Sequence, residues 1–347
     1  MNVEAISEIK EPYIIGETAY NHEGDINYLY RMIDDIAKLK LNAIKFHLLL
    51  NLESYMAKTH PLFAESAIWL FSKEEWDSII NYTNKKRLDI IALCDDVESI
   101  KYITGNNKPV RAIELHATGL NDYFLLEAVS KFKGGVILGV GGSTLDEIQY
   151  AVNFLKQSGK SDILLMYGFQ SYPTNYADIN LARMMKIKEL FDLPVGYADH
   201  TAFDDPNNEI VSITGAVMGI NILEKHFTPD FGKERIDYHS AVGKKQMARI
   251  KELMKLALAV HGDASLGMSE AELKYGSIGP MKKAIVAREK ISKGDKLLVK
   301  NLWFKRTREE SSIKQSQFLQ LLGLEATKNI SRDEIIDFTK VKKAEKS

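Results

Sequence analysis

The segment "GVILGVGGSTLDEIQYAVNFLKQSGKSDILLMYGF" (residues 135–169) contains the structural unit that decides the fold. It opens with a short aliphatic run, continues with apolar residues spaced three or four positions apart, and closes with a second aliphatic run. The outer runs have the length and composition of buried β-strands, and the middle part has the period of a helix that packs on a sheet. This order predicts a strand–helix–strand unit with parallel strands.

The same unit recurs along the chain up to about residue 262. Eight short apolar runs alternate with longer amphipathic segments, which is the count and length of a (β/α)8 or TIM barrel, an α/β fold. The runs are 13–19, 42–50, 88–94, 110–117, 135–141, 161–169, 193–199 and 221–228. A doubly wound open sheet is the alternative, but eight units in about 250 residues favour the closed barrel.

The rest of the chain has a different character. The sequence predicts a barrel domain over 1–265, a glycine-dotted linker over 266–281, and a small β-rich domain over 282–347. In that last part, "AREKISKGDKLLVKNLWFKR" (287–306) is loosely echoed by "ATKNISRDEIIDFTKVKK" (326–343). The echo predicts two similar segments, with a short helix at "SQFLQLLG" between them.

The composition excludes several classes of protein. Of the 347 residues, 45% are hydrophobic and 27% are charged, and the net charge of −1 argues against a nucleic-acid-binding surface. The single cysteine, Cys94, excludes an internal disulfide and fits a reducing compartment. No apolar run reaches the roughly 18 residues that a membrane helix needs, and the mixed opening "MNVEAISEIKEP" does not resemble a signal peptide. We therefore expect a cytoplasmic protein that binds neither membrane nor nucleic acid.

Chemistry-bearing residues gather where the predicted strands end, which is the face where barrels of this kind carry their active sites. Five of the eight histidines lie at or just beyond these ends. The candidates are Glu17, His22, Lys45, His47, Asp95, Asp96, Glu114, His116, Gln170, Tyr172, Asp199, His200, Glu224, Lys225 and His226.

Two of these histidines end neighbouring strands, in "PVGYADHT" (194–201) and "NILEKHFT" (221–228). Adjacent strands lie about 5 Å apart, so His200 and His226 can reach one divalent cation. Two imidazoles leave coordination positions open, as a catalytic metal requires. The alternative for either histidine is an ordinary hydrogen-bonded residue at a strand end.

Lys45 and Glu17 also interrupt apolar strands. Lys45 could hold a carboxylate or phosphate in the barrel mouth, or form a Schiff base if burial lowers its pKa. Glu17 could act as a general base, and its structural alternative is an ion pair with Lys45; both can hold at once. "GVGGSTLDE" (139–147) is a weak phosphate-binding signal, with glycines before a helix N-terminus.

Taken in order, several motifs of the chain resemble the N-acetylneuraminate (sialic acid) synthase family, as a divergent member. "IGETAYNHEGD" resembles its opening Glu-x-x-x-Asn-His-x-Gly-Asp signature, and "IKFH" its Lys-Phe-Gln. "SYPTNYADINL" resembles its Tyr-Pro-Thr motif, "VGYADHT" and "EKHFTPD" its two metal-histidine motifs, and "DYHSA" its Asp-His-x-x-Ser region. The tail, especially "KGDKLLVKNLWFKR", is similar to the antifreeze-like (SAF) domain that covers the partner's barrel in a swapped homodimer.

The resemblance implies a transferase that condenses phosphoenolpyruvate with an open-chain N-acetylated amino sugar and releases phosphate. His200 and His226 would hold a divalent metal, usually manganese, with magnesium or cobalt as alternatives. Catalytic roles fall to Glu17, Lys45, Tyr172 and Asn180. Substrate binding falls to Asn21, His47, Glu114, His116 and Asp237, and to Arg306, which would reach the partner subunit's sugar.

The departures from the family pattern concentrate at the positions that are expected to bind the phosphate of phosphoenolpyruvate. Where the family usually has Lys-Ile-x-Ser in strand 4, this chain has Glu114, Leu115, His116 and Ala117. Glu114 and His116 share one strand face, so they could extend the metal site or pair with Lys45. The family's Ser-Thr-Gly is replaced by "GVG" at 139–141, and the family's Thr-Pro-Phe is replaced by "DDV" at 95–97. A carboxylate about 4 Å from a phosphate opposes binding by about 4 kcal/mol at an effective dielectric of 20.

These changes leave three functions open. The first is a nonulosonic acid synthase that uses phosphoenolpyruvate and binds its phosphate through Arg111 or backbone amides. The second is a metal-dependent barrel enzyme on a related sugar that does not use phosphoenolpyruvate. The third is a catalytically weak binding subunit.

Overall fold

The computed structural model describes residues 3–169, 171, 174–274 and 281–343. The chain forms two compact units, Met1–Gly262 and Asp263–Ser347. We describe each unit by itself.

The first unit is a closed barrel of eight parallel strands in sequential order, in which β1 pairs with both β2 and β8. Each predicted run contains one strand, so the TIM-barrel prediction is confirmed. The strands are Tyr13–Glu17 (β1), Ala43–Leu48 (β2), Asp89–Cys94 (β3), Ala112–Leu115 (β4), Gly135–Gly139 (β5), Ile163–Tyr167 (β6), Val195–Asp199 (β7) and Ile222–His226 (β8).

Helices follow the strands as the apolar spacing predicts. In the first unit they are Val3–Ser7 (α1), Ile26–Lys38 (α2), Leu52–Tyr55 (α3), Phe63–Ser66 (α4), Lys73–Lys85 (α5), Val97–Gly105 (α6), Tyr123–Val129 (α7), Leu145–Gln157 (α8), Tyr176–Ile179 (α9), Leu181–Phe191 (α10), Asn208–Ser212 (α11), Thr214–Val217 (α12) and Lys244–His261 (α13). Short 3-10 turns occupy Ala67–Trp69, Ala117–Gly119 and Tyr238–Ser240. No helix among the described residues is both long enough and apolar enough to cross a membrane.

The barrel interior is apolar at its N-terminal end. Alternate residues of each strand point inward, and the lower ones form one buried cluster that α1 covers with Val3 and Ile6. The inward strand residues of this cluster are Tyr13, Ile15, Ala43, Ile91, Ala112, Ile137, Leu164, Met166, Ala198 and Ile222. Because this apolar plug closes one end, any polar cavity must open at the other end, where the strands finish.

The second unit contains two small antiparallel sheets around its own core. Ala284–Ala287 (β9) pairs with Leu302–Lys305 (β10), and Glu325–Ala326 (β11) pairs with Val341–Lys342 (β12). Its helices are Glu270–Leu273 (α14) and Phe318–Leu321 (α15), with 3-10 turns at Val299–Asn301, Gln315–Gln317 and Phe338–Lys340. A 3-10 turn precedes the last strand of each echoed segment, so the two segments share their local structure. Its antifreeze-like identity stays a prediction.

Candidate active site

A layer of charged side chains lies directly above the apolar plug. The strand register places Glu17 beside Lys45, and Ile15, two residues before Glu17, beside Glu224. Lys45 Nζ contacts Glu17 Oε2 at 2.7 Å, Glu224 Oε1 at 2.8 Å and Glu114 Oε1 at 3.1 Å. All four side chains are buried. The ammonium group therefore has a carboxylate partner on each of three other strands.

These contacts decide the protonation state of Lys45. Burial by itself lowers the pKa of Lys45, but the charges of Glu114 and Glu224 outweigh burial and raise the pKa above its ordinary value. A Schiff base requires a neutral amine, so the contacts oppose that hypothesis. The ion pair between Glu17 and Lys45 that the sequence suggested is present.

Above the charged layer lies a cavity with a volume of about 290 Å³, and four histidines line it. They are His47, His116, His200 and His226. Burial lowers the pKa of each of them, and the positive charge of Lys45 adds to the effect. All four rings are therefore neutral near pH 7, which is the form that binds metals.

His200 and His226 lie side by side at the ends of β7 and β8, with ring centroids 5.1 Å apart. Burial lowers the pKa of His200 to about 3. Its Nδ1 atom is buried and has no hydrogen-bond partner among the described residues. Neutral neighbouring imidazoles with a free buried nitrogen fit a divalent cation. Since no three His, Cys, Asp or Glu side chains of the described residues converge as a metal site, water or substrate would complete the coordination.

An ion pair between Asp199 and Lys225 fixes the backbone that carries these histidines. Lys225 Nζ lies 2.6 Å from Asp199 Oδ2, and both side chains are fully buried outside the barrel cavity. Asp199 also accepts hydrogen bonds from the Thr201 hydroxyl and the Ser212 hydroxyl. Burial raises and Lys225 lowers the pKa of Asp199, to about 2 overall. The residues next to the histidine pair are therefore structural supports.

The opposite wall of the cavity is made of backbone. A Cβ atom at Gly141 would lie 1.7 Å from the carbonyl oxygen of Gly168, so only glycine fits there. Gly139 and Gly142 line the same wall. The following helix, α8, is capped by its own residues, because Thr144 and Glu147 form a reciprocal capping box. That helix N-terminus is thus already satisfied, which weakens the phosphate-binding interpretation of 139–147.

Asp95 faces a neighbouring cavity of about 340 Å³, whose lining also includes Tyr55 and Asp122. The two cavities share His116 and Thr118. Burial, followed by the charge of Asp96, raises the pKa of Asp95 to about 7. Asp95 therefore carries only part of a negative charge near pH 7.

Three predicted residues lie outside the set of described residues that line the cavity. Asn21 is buried and joins two loops, since its Nδ2 donates to the Ile236 carbonyl and its Oδ1 accepts from the Tyr28 hydroxyl. Asn180 caps α10 through the Arg183 amide, and Asp237 begins a 3-10 turn. The side chains of Asn21 and Asn180 thus bind backbone groups, and the site roles of all three residues stay predictions.

Further predicted residues cannot be placed in this cavity. Gln170 and Tyr172 lie outside the described residues. Arg306 belongs to the second unit, where its Nη2 lies 3.1 Å from Met281 Sδ, and its contact with a partner's sugar stays a prediction. Arg111 pairs with Asp89 before the start of β4, at the other end of the barrel from the cavity. Arg111 therefore cannot bind the phosphate of a substrate in this cavity.

Glu224 completes the charged layer, although sequence reasoning assigned it no role. It lies two residues before His226 and so shares the inward face of β8. The sequence did indicate a charged layer, because inward positions near four strand ends carry charged residues: Glu17, Lys45, Glu114 and Glu224. Only barrel closure, however, shows that all three carboxylates meet one lysine.

A TIM barrel whose strand ends carry paired neutral histidines above buried carboxylates has the site and the side chains that are typical of barrel enzymes. The model of the NeuB family matches residues 32–265 of this chain. The chain therefore belongs to the NeuB family, and its resemblance to sialic-acid-type synthases is confirmed.

Named relatives and solved structures agree with this family. The chain is 30% identical over 294 residues to an uncharacterised protein of Methanocaldococcus jannaschii, covering 85% of this chain and 84% of that protein. It is 27% identical to the N,N'-diacetyllegionaminic acid synthase of Campylobacter jejuni, covering 94% and 99%. The N-acetylneuraminic acid synthetase structure from Leptospira borgpetersenii superimposes with a TM-score of 0.69 at 28% identity, covering 76% and 90%.

Proposed function

We propose that this protein is a metal-dependent, sialic-acid-type synthase that joins phosphoenolpyruvate to the aldehyde carbon of an open-chain N-acetylated amino sugar. Carbon 3 of phosphoenolpyruvate forms the new bond to the aldehyde carbon, water adds its oxygen to carbon 2, and inorganic phosphate leaves. The acceptor class follows from the relatives, which include synthases of legionaminic, pseudaminic and N-acetylneuraminic acids.

The observation that carries this proposal is the pair His200 and His226 at the mouth of the cavity, neutral and with a free nitrogen. These residues would hold a divalent cation, which supplies Lewis-acid chemistry for the sugar aldehyde. The pair lies beside a cavity whose volume of about 290 Å³ suits a small sugar.

Glu17 is the residue best placed to accept a proton. Its Oε1 atom accepts a hydrogen bond from the Ala19 amide at 2.7 Å and lies 3.4 Å from His47 Nε2. Its other oxygen lies against Lys45. Glu17 would orient the attacking water and receive its proton, while Lys45 keeps the carboxylate fixed.

The test measures inorganic phosphate released from phosphoenolpyruvate by the full chain with manganese and a panel of N-acetylated amino sugars. We expect release that requires both the metal and one of the sugars. If no sugar elicits phosphate release from a folded, metal-loaded protein, the proposal is wrong.

The charged layer favours a second candidate, an enzyme that activates the same aldehyde but takes a donor without phosphate. The amino group that could hold a phosphate, that of Lys45, is already surrounded by three carboxylates. For this candidate the same assay gives no phosphate, and mass analysis finds a sugar product from a different donor.

Replacing Glu114 with lysine tests whether this residue opposes the binding of phosphate in the cavity. Glu114→Lys removes one negative charge and adds one positive charge beside the cavity, and one such interaction is worth about 4 kcal/mol at 4 Å and a dielectric of 20. With wild type and variants all stripped of metal, we expect phosphoenolpyruvate to bind at least about 10-fold more tightly to Glu114→Lys than to the wild type, measured by calorimetry. Glu114→Gln, which removes the charge only, should give an intermediate gain. Unchanged affinity in both variants contradicts a role for Glu114 in anion binding.

A further inference from the structure

Two glutamates of the charged layer, Glu114 and Glu224, each have one carboxylate oxygen without a hydrogen-bond partner among the described residues. Glu114 and Glu224 each contact Lys45 through Oε1. Their Oε2 atoms are buried and accept no hydrogen bond from any described residue. Both residues are more than nine-tenths buried, at 2% and 4% exposure, and both line the cavity. Two buried carboxylate oxygens, on residues that line the cavity, therefore have no hydrogen-bond partner among the described residues.

The charge of the layer is also unbalanced. Three carboxylates surround one ammonium group. Excess negative charge in a buried site is relieved by protonation or by a bound cation.

We propose that Glu114 and Glu224 bind a second divalent cation through their free Oε2 atoms, separate from the cation held by His200 and His226. The ligands are carboxylate oxygens alone, which suits a hard ion such as magnesium or manganese. Magnesium commonly takes one or two carboxylates, keeps several waters and binds substrate phosphates.

The role of this second cation rests on the proposed function. Where this chain has Glu114, the family pattern has a lysine. A lysine there with one divalent cation at the histidines would give the layer a net charge of about +2. Glu114 with two divalent cations gives the same net charge. The second cation would thus replace the lysine as the group that attracts the phosphate of the donor.

Metal stoichiometry tests the site without any activity measurement. The full-length protein is stripped with chelator, dialysed against manganese, and analysed for bound metal per chain. We expect two ions for the wild type, one for Glu114→Gln, and one for the double variant His200→Ala/His226→Ala. Combining all three substitutions should leave none. Glu98→Gln, which removes an exposed carboxylate that pairs with Lys73, is the matched control and should keep two.

The outcomes separate this site from the proposed function. One ion in the wild type, or two in a folded Glu114→Gln variant, overturns the second site. If Glu114→Gln does not give the circular dichroism of the wild type, Glu224→Gln is measured in its place with the same expected loss of one ion. Two ions in the wild type and one in either glutamine variant support the second site, even if no sugar elicits phosphate release. In that last case only the proposed function fails.

Discussion

Replacing Lys45 with methionine will lower the free energy of unfolding by about 3–5 kcal/mol, because removing one partner of a buried ion pair leaves uncompensated charge. Here the loss leaves three carboxylates facing one another: Glu17, Glu114 and Glu224. Methionine keeps most of the volume of the lysine side chain, so the effect reports charge and not packing. Denaturant unfolding followed by circular dichroism measures it.

A surface lysine gives the control for this prediction. Lys73→Met removes the ion pair with Glu98, which is exposed, and should change stability little. The double variant Lys45→Met/Glu114→Gln should recover part of the loss, because one of the three opposing charges is gone. If Lys45→Met is as mild as Lys73→Met, Lys45 does not neutralise the charged layer.

Replacing His200 or His226 with alanine will abolish tight metal binding at the mouth and with it the proposed reaction. We expect sugar-dependent phosphate release to fall by more than about 100-fold, since even residues behind a metal ligand cost about 10- to 100-fold. Neither ring is part of the hydrophobic core, so the stability of the barrel should change little in comparison. Elemental analysis and the phosphate assay on the same preparations measure both effects.

His261→Ala serves as the control for the two site histidines. His261 lies in the last turn of α13, is exposed, and contacts the Val217 carbonyl through Nδ1. This variant should retain wild-type metal content and activity. Wild-type metal content in both His200→Ala and His226→Ala would refute their assignment as ligands.

The barrel could be predicted from the sequence because its signals are local. Each strand is a short aliphatic run, and each longer helix shows a three- or four-residue apolar period, as in α2 and α8. The pairing of His200 with His226 was also predictable, because consecutive strands of such a barrel are neighbours. Both inferences needed only sequence order and strand period.

The charged layer needed more than local patterns. Glu114 on β4 and Glu224 on β8 lie far apart in sequence, and their contact with Lys45 depends on the curvature of the closed barrel. The sequence placed Asn180 with the catalytic groups because it follows a family motif. In the structure its side chain caps a helix by accepting a hydrogen bond from the Arg183 amide.

The central claim is that this cavity forms a carbon–carbon bond between phosphoenolpyruvate and a sugar aldehyde. The most direct test follows phosphoenolpyruvate labelled with carbon-13 at carbon 3 by NMR, in the presence of manganese and the N-acetylated amino sugar panel. We expect the label to become a methylene carbon bonded to the former aldehyde carbon, only with sugar and only with intact His200 and His226. A label that stays in phosphoenolpyruvate, or passes to pyruvate without sugar, would contradict it.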